Sequence, residues 1–384
     1  MKFTNNNGCL TFYFEGRFSS DNAEATEKEL IEVIDNNKPT ELVLDFKNLE
    51  YVSSAGLRVI LKLKKMIPNM EIINVSLEIY DVLNMTGFTE MMKVTRALNN
   101  VDISGATIVG EGYFSTVYRI DKDTIIKVFN RTSDPDQIER ELTRAKQAFI
   151  LGIPTAISFD IVSVGDKLGV RFEMLDCKSL SDCLRDDKEH YDELIKRYAA
   201  LIKKINTTVC DANDVPSINE QYLDKLNALK SYLDEKQFKK LYQMVSNIKK
   251  TNTFVHGDCH MKNIMVQGDE LLLIDMDTLS VGHPIFELAQ LYCSFFAFEE
   301  EDPGNNIKFF GLDSSFVRKM FFDLMNLYFD AFNDDILNKI RIVCYIHMAW
   351  WNLVNSSDDL KWFNGSMRRL IDLLDKYDEL DIGI

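Results

Sequence analysis

At 384 residues the chain is long enough for two domains or more, and its 46% hydrophobic and 27% charged residues are ordinary globular usage with no repeat or low-complexity tract. A formal net charge of −16 argues against general nucleic-acid binding through phosphate neutralisation. Seven scattered cysteines with no Cys-x-x-Cys pair point to a reducing compartment rather than a disulfide framework.

The chain opens on a polar run, residues 1–7, with no signal-peptide core, and no apolar run reaches membrane-spanning length, so a cytoplasmic protein without a membrane partner is expected. Residues 10–15 alternate and predict a strand. Residues 21–34 place Ala25, Leu30, Ile31 and Ile34 at helical spacing. Strands are predicted over 41–46 and 70–75. Helices are predicted over 54–66, 77–84 and 90–92. Strands alternating with helices give a small α/β sandwich over residues 1–100. Residues 98–105 are short and polar with one Gly, a tight linker.

Past the linker, Gly110 and Gly112 stand in a turn between two predicted strands. Lys127 sits in a third, flanked by Ile126 and Val128. A glycine turn lets backbone approach phosphate oxygens, and Ser115 is small enough to share that role. A lysine in an apolar strand needs a partner. Asp134 and Pro135 start a charged amphipathic helix that offers Glu141 or Glu139, which periodicity cannot separate. Further strands over 161–175 continue the sheet. Helices are then predicted over 191–205, 223–248, 316–332, 335–353 and 360–377. The run 299–304 reads as a solvated acidic loop. Trp350, Trp351, Phe321 and Phe322 read as core or pocket wall rather than a cage for a cation.

Between those helices lies His256-Gly257-Asp258-Cys259-His260-Met261-Lys262-Asn263, followed by Asp275 and Asp277. An Asp, an Asn and a second Asp at this spacing answer three needs of phosphoryl transfer. One carboxylate, Asp258, orients the attacking hydroxyl. Asn263 and Asp275 hold magnesium through oxygen donors. His256 is expected to hold the loop and His260 to pack. Cys259 is expected to point into the core, and Asp277 either caps a turn or reaches metal or substrate.

These motifs resemble those of the aminoglycoside phosphotransferase/choline kinase branch of the kinase-like superfamily, from about residue 106 onward. The points of likeness are His-Gly-Asp, the short step from Asp275 to Gly282-His283-Pro284, and the Glu287-Leu288-Ala289 that follows. Glu287 replaces the usual Asp, and Lys262 stands where the branch often has Gly. The resemblance implies a bilobal kinase-like fold, with a β-rich lobe over 101–177 and a helical lobe over 178–384. It implies ATP and Mg2+ as cofactors, with Asp258, Lys127 and Glu141 as catalytic residues. The nucleotide would be held by Gly110, Gly112, Ser115 and Lys127, and by a hinge at Glu173 and Leu175.

Residues 42–57 are similar to the signature of STAS domains, the fold of anti-sigma factor antagonists: Val52-Ser53-Ser54-Ala55-Gly56-Leu57 precedes a helix. Alignment on Gly56 and Leu57 puts Ser54 at the phosphoacceptor position, with Ser53 replacing the usual Asp. The plain alternative is that Ser53 or Ser54 only caps the helix. Together the two resemblances imply an α+β chain with a STAS domain before a phosphotransferase. The acceptor expected is a small-molecule hydroxyl or a protein Ser, with Ser54 a candidate. An anti-sigma-factor-like or other signalling protein is the implied partner. A nucleotide-sensing adaptor and a small-molecule kinase with an incidental STAS fusion are the competing readings.

Overall fold

The computed structural model describes residues 1–112, 115–130, 135–187, 189–210, 215–355 and 360–384, without the side chains of 135–137. Tyr113 and Phe114 of the glycine turn, and the predicted helix start at Asp134, lie outside the described residues. The chain divides into two compact units, Met1–Asp102 and Ile103–Ile384.

In the first unit, β1 (Lys2–Asn6), β2 (Cys9–Phe18), β3 (Glu41–Val52), β4 (Met70–Val75) and β5 (Lys93–Arg96) form one sheet in that order; β6 (Asn99–Asn100) follows. β1 is antiparallel to β2, and the remaining neighbours are parallel. Parallel neighbours need long crossovers. These are supplied by α1 (Ala23–Asn37), α2 (Ser54–Met66) and α3 (Leu77–Met85), with the short α4 (Phe88–Met91) leading into β5. Phe12, Leu44, Phe46, Ile60, Leu63 and Ile72 fill the core.

β3 runs six residues past its predicted end at Phe46. Alternation of buried and exposed positions breaks there, because Asp45 accepts a hydrogen bond from the Lys47 N–H and the register against β2 shifts. The bulge carries β3 on to Val52, so the chain delivers Ser53 to the end of β2, where the Ser53 N–H donates to the Phe18 carbonyl.

The second unit begins with β7 (Thr107–Glu111), β8 (Ser115–Arg119), β9 (Thr124–Phe129), α5 (Pro135–Ile150), β10 (Ser158–Val164) and β11 (Lys167–Glu173). These five strands are antiparallel in the order β10-β11-β9-β8-β7, so Lys127 lies on a central strand between Val170 and Val117. A helical part follows. It contains β12 (Lys178–Ser179), α6 (Leu180–Asp186), α7 (Tyr191–Thr207), α8 (Ile218–Leu229) and α9 (Glu235–Ser246). Four short strands then carry the motif region: β13 (Phe254–Val255), β14 (Ile264–Gln267), β15 (Glu270–Leu273) and β16 (Ser280–Val281). α10 (Ile285–Tyr292), α11 (Phe298–Glu301), α12 (Asn305–Phe310), α13 (Ser314–Tyr328), α14 (Asp334–Asn355) and α15 (Lys361–Leu374) complete the chain. No helix of the described residues is long and apolar enough to cross a membrane.

Two further expectations are corrected. The single helix expected over 223–248 is two, because Asp234 accepts from the Gln237 N–H at 2.7 Å and Gln237 accepts from the Asp234 N–H. That reciprocal pair starts a new helix, α9. The acidic run at 299–304 is not a solvated loop. Glu299 accepts from the Gly304 and Asn306 N–H groups and Ser314, Glu300 from Tyr292 and Tyr345, and Glu301 from Asn352 and Ser366.

Candidate active site

Short strand pairs bring the motif residues together. β13 pairs with β16, setting the His256–Asp258 loop beside residues 278–281. β14 pairs with β15, and the Ile274 N–H donates to the Asn263 carbonyl, so Asn263 and Asp275 occupy adjacent strand ends. Gly257 has φ +81°, and a Cβ there would meet Thr278 at 3.3 Å, so the tight loop between His256 and Asp258 requires glycine.

The loop is held by buried polar groups. Glu287, fully buried, accepts from the His256 N–H at 2.5 Å and the Gly257 N–H at 3.2 Å. Burial pushes its carboxyl up to about 7, against the opposing pull of these N–H donors. Thr278 donates to the His256 carbonyl at 2.6 Å and Tyr198 to the Cys259 carbonyl at 2.6 Å. His256 accepts from the Asp258 N–H through Nδ1, so its Nε2 carries the proton and donates to the Ile274 carbonyl. His260 accepts from the Lys262 N–H through Nδ1 and places Nε2 3.4 Å from Asp258 Oδ1, while its ring packs edge-on to Phe309 and Phe310. Cys259 is buried.

Asp258 accepts from Asn263 Nδ2 at 2.8 Å. Burial pushes its carboxyl up to about 6, with the Asp275 charge adding to the effect and His256 opposing it. Because Nδ2 is committed to Asp258, the Asn263 side-chain oxygen remains as the donor a hard cation takes. Asp275 adopts φ +66°, a left-handed conformation uncommon for a residue with a Cβ, and its Oδ1 lies 2.5 Å from Lys127 Nζ. On the other side Lys127 meets Glu141 Oε1 at 3.3 Å. Of the two glutamates left open by periodicity, the contact with Lys127 is therefore made by Glu141. Burial pulls the Lys127 ammonium pKa down, but Asp275, Glu141 and Asp277 together hold it above the ordinary lysine value. Enclosure and the Asp275 charge push the Asp277 carboxyl up, although its side chain still meets solvent.

Asp275 and Glu141 thus contact one ammonium, with Asp277 adding to its field and Asp258 nearby. That surplus of negative charge, with the oxygens of Asn263 and Asp275 side by side, fits a divalent cation accompanied by phosphate oxygens. No group of three or more His, Cys, Asp and Glu side chains that could hold a metal unaided occurs among the described residues.

The remaining candidates sit at the edges. Gly112 closes the turn with its N–H on the Ser115 carbonyl. A Cβ at Gly110 or Gly112 would meet only ordinary contacts, so the fold itself does not demand glycine at either. Glu173 ends β11 with its carboxylate on the Ile157 N–H at 2.7 Å, so its side chain is committed, and the Glu173 and Met174 N–H groups donate to the Ile157 and Asp123 carbonyls. Leu175 packs with Ala156 and Leu272, bordered by Met265 and Ile274. In the first unit, Ser53 is the buried N-cap of α2, its hydroxyl accepting from the Gly56 N–H. Ser54 is the first helical residue and is exposed. A Cβ at Gly56 would meet Phe18 at 2.9 Å, so glycine lets α2 approach β2.

Three elements escaped the motif reading. Glu287 registered only as a departure from a pattern; its neighbour Ala289 and the apolar run around it gave the one hint of burial. Thr278 and Tyr198 carried no signal at all.

A sheet bearing a paired lysine, facing an Asp–Asn–Asp constellation in a helical part, defines a kinase-like phosphotransferase, here behind a STAS domain. Residues 105–311 match the model of the phosphotransferase enzyme family and residues 1–101 that of the STAS domain. The chain belongs to the phosphotransferase enzyme family, and its first unit is a STAS domain. That unit is 31% identical over 94 residues to a protein of Bordetella bronchiseptica provisionally named as the anti-sigma factor antagonist BtrV, covering 23% of this chain and 80% of that protein. Among solved structures, the chain is similar to a gentamicin complex of APH(2″)-IIa, with 15% identity, TM-score 0.48 and 78% and 96% of the two chains covered. It is also similar to a choline/ethanolamine kinase family protein from Mesorhizobium loti, with 13% identity, TM-score 0.47 and 70% and 87% covered.

Proposed function

We propose that the second unit transfers the γ-phosphate of ATP, with magnesium, to a hydroxyl acceptor, and that the STAS unit regulates it or recruits a partner. The observation that carries this reading is the meeting of Lys127, Glu141 and Asp275 beside the Asp258–Asn263 pair. Asp258, ionised above about pH 6, accepts a hydrogen bond from the acceptor hydroxyl and aims it. Lys127, steadied by Glu141, positions phosphate oxygens. Asn263 and Asp275 hold the metal, which when bound neutralises charge on the phosphates. The glycine turn with Gly110, Gly112 and Ser115 would cover the phosphates, and the connector at Glu173 and Leu175 would take the adenine. Positioning and charge stabilisation, rather than strong base chemistry, supply the rate.

Ser54 is the proposed phosphosite of the STAS unit. It is exposed, at the first turn of a thirteen-residue helix, where free N–H groups tolerate an anion. A phosphate there adds charge to a surface suited to an anti-sigma-factor-like or other signalling protein.

Incubation with Mg-ATP and panels of hydroxyl acceptors, read by ADP release and intact mass, tests the reading. Turnover is expected, abolished in Asp258→Ala and nearly abolished in Asp275→Ala with the fold retained. Unchanged activity of Asp275→Ala sinks the metal assignment. Phosphate mapped to Ser54 identifies the switch as a substrate. ATP binding without any turnover favours a nucleotide-sensing adaptor instead.

A further inference from the structure

Lys225 is about nine-tenths buried, with 9% of its surface exposed, and no carboxylate faces it among the described residues. In a chain with 60 acidic and 44 basic residues this is unusual company for an ammonium. The other buried lysines are paired: Lys127 with Glu141 and Asp275, Lys339 with Asp335 and Glu379. Lys225 instead has Tyr222 and Trp350 rings 4.3 and 5.0 Å from its nitrogen, and His347 Nδ1 at 3.0 Å.

That last contact fixes a proton. An ammonium only donates, so His347 Nδ1 accepts and its Nε2 carries the hydrogen. No partner of that Nε2–H occurs among the described residues. The ring, half-buried, stacks on Trp351 at 18°. Burial, with the Lys225 charge adding to it, holds His347 well below its ordinary pKa and keeps it neutral, while burial lowers Lys225 to about 8. The result is a cluster of two hydrogen-bond donors, one positive charge and aromatic faces, with no anion among the described residues.

Its place in the fold gives it a use. Gln221, one turn before Lys225 on α8, donates to Ser280 at 3.1 Å. Ser280 donates to the Thr278 carbonyl, and Thr278 in turn donates to the His256 carbonyl. Ser217, the N-cap of α8, is bridged to Val281. α8 therefore stands on the segment that leaves Asp275, and Lys225 lies about 6 Å, one helical turn, beyond that contact. Between the Asp258 loop and Lys225, Thr278 is exposed and Gln221 half-buried, the surface an acceptor with its hydroxyl at Asp258 would follow.

We infer that Lys225, His347 and Trp350 form the far end of the acceptor site and take an anionic group, carboxylate or phosphate, of the hydroxyl-bearing acceptor. This rests on the phosphotransfer reading and sharpens it. An aromatic pair that would otherwise attract a quaternary ammonium already holds the protein's own ammonium, and a second cation would be repelled. An anion completes charge-assisted hydrogen bonds that the fold leaves open.

The test uses the full-length protein and two readouts. Tryptophan fluorescence is titrated with inorganic phosphate, with lactate and with choline. Saturable change with phosphate or lactate is expected, whichever is stronger identifying the group. The change is expected to weaken roughly tenfold or more in Lys225→Met and to shrink in Trp350→Phe, where Trp351 beside His347 still reports. An anion response equal in Lys225→Met and wild type, no anion response, or a saturable response to choline overturns the inference. In turnover assays, Lys225→Met is expected to raise the acceptor KM with little change in kcat, and Lys225→Arg to restore it in part. Turnover confined to cationic acceptors, with an unmoved KM in Lys225→Met, overturns the subsite while leaving phosphotransfer standing. A saturable, Lys225-dependent anion response in protein that transfers no phosphate has the opposite meaning: the anion site stands and the enzyme reading falls.

Discussion

Lys127 and Lys225 are both buried, and the two are held in opposite ways. Around Lys127 three carboxylates more than offset the cost of burial, and its ammonium is bound more tightly to its proton than a free lysine's. Around Lys225 burial acts almost alone, offset by aromatic faces and one imidazole. A buried charge with its counter-ions in place is a finished piece of structure that a ligand must share. A buried charge without them has a partner still to come, or costs stability for nothing. The contrast divides the second unit into an end around Lys127, rich in carboxylates, and an end around Lys225 that offers donors.

The largest expected effects come from removing each charge without changing length. Lys127→Met leaves Asp275 and Glu141 facing each other. Phosphotransfer is expected to fall on the order of a hundredfold to a thousandfold. Stability should fall by about 2 kcal/mol, less than for a fully enclosed pair because the Asp275 side chain is 36% exposed. Lys225→Met is expected to leave the melting temperature unchanged or raise it, since methionine fills the same space without an ammonium. Thermal melts at pH 7 of the two variants check the contrast; a large loss in Lys225→Met would make its cation a structural element.

The pH dependence separates the two lysines by sign. Lys225 has its folded-state pKa lowered to about 8 from an ordinary 10.5, so between those values the unfolded chain binds more protons than the folded one. Its contribution to stability therefore grows as pH rises through that window. Lys127 is shifted upward, so its contribution is fully present below 10.5 and is lost only above its folded value. Denaturant unfolding is expected to show wild type gaining on Lys225→Met between pH 8 and 10, and a constant difference there removes the depressed lysine. Activity gives a third titration. Asp258 must be ionised to accept the hydroxyl hydrogen bond, so kcat/KM should rise with pH through about 6, well above the ordinary carboxylate range. A midpoint near 4 would mean that Asp258 is more solvated than its surroundings indicate.

What was legible in the sequence follows the same division. Chemistry carried by neighbours in the chain was readable: Asp258 and Asn263 share one loop, and Asp275 ends the strand paired with the one that Asn263 begins. The STAS and phosphotransferase folds were readable from such motifs and from strand–helix alternation. Chemistry carried by packing was not. Glu139 and Glu141 differ only in the rotation of α5 about its axis, which packing against β10, β11 and residues 276–278 fixes. Lys225 and His347 are 122 residues apart, and nothing in either helix announces the other. The acidic run at 299–304 looked solvated because its partners, Tyr345, Asn352 and Ser366, come from α14 and α15. β3 looked short because the bulge after Asp45 breaks the alternation that marks a strand.

The smallest effect tests whether the distinction between partnered and unpartnered groups extends to the first unit. Ser53 and Ser54 are adjacent and chemically identical. Ser53 is buried, with its hydroxyl on the Gly56 N–H and its own N–H on the Phe18 carbonyl. Ser54 is exposed, and its hydroxyl has no partner among the described residues. Ser53→Ala removes the cap and is expected to cost about 1 kcal/mol of stability. Ser54→Ala is expected to leave stability within about 0.5 kcal/mol while abolishing any phosphate mapped to this helix. Chemical denaturation paired with phosphopeptide mapping reads both. A phosphate on Ser53, or a cap-sized loss of stability in Ser54→Ala, would reverse the assignment. Retention of phosphate at the helix in Ser53→Ala would show that the capping serine positions the helix and takes no part in the switch.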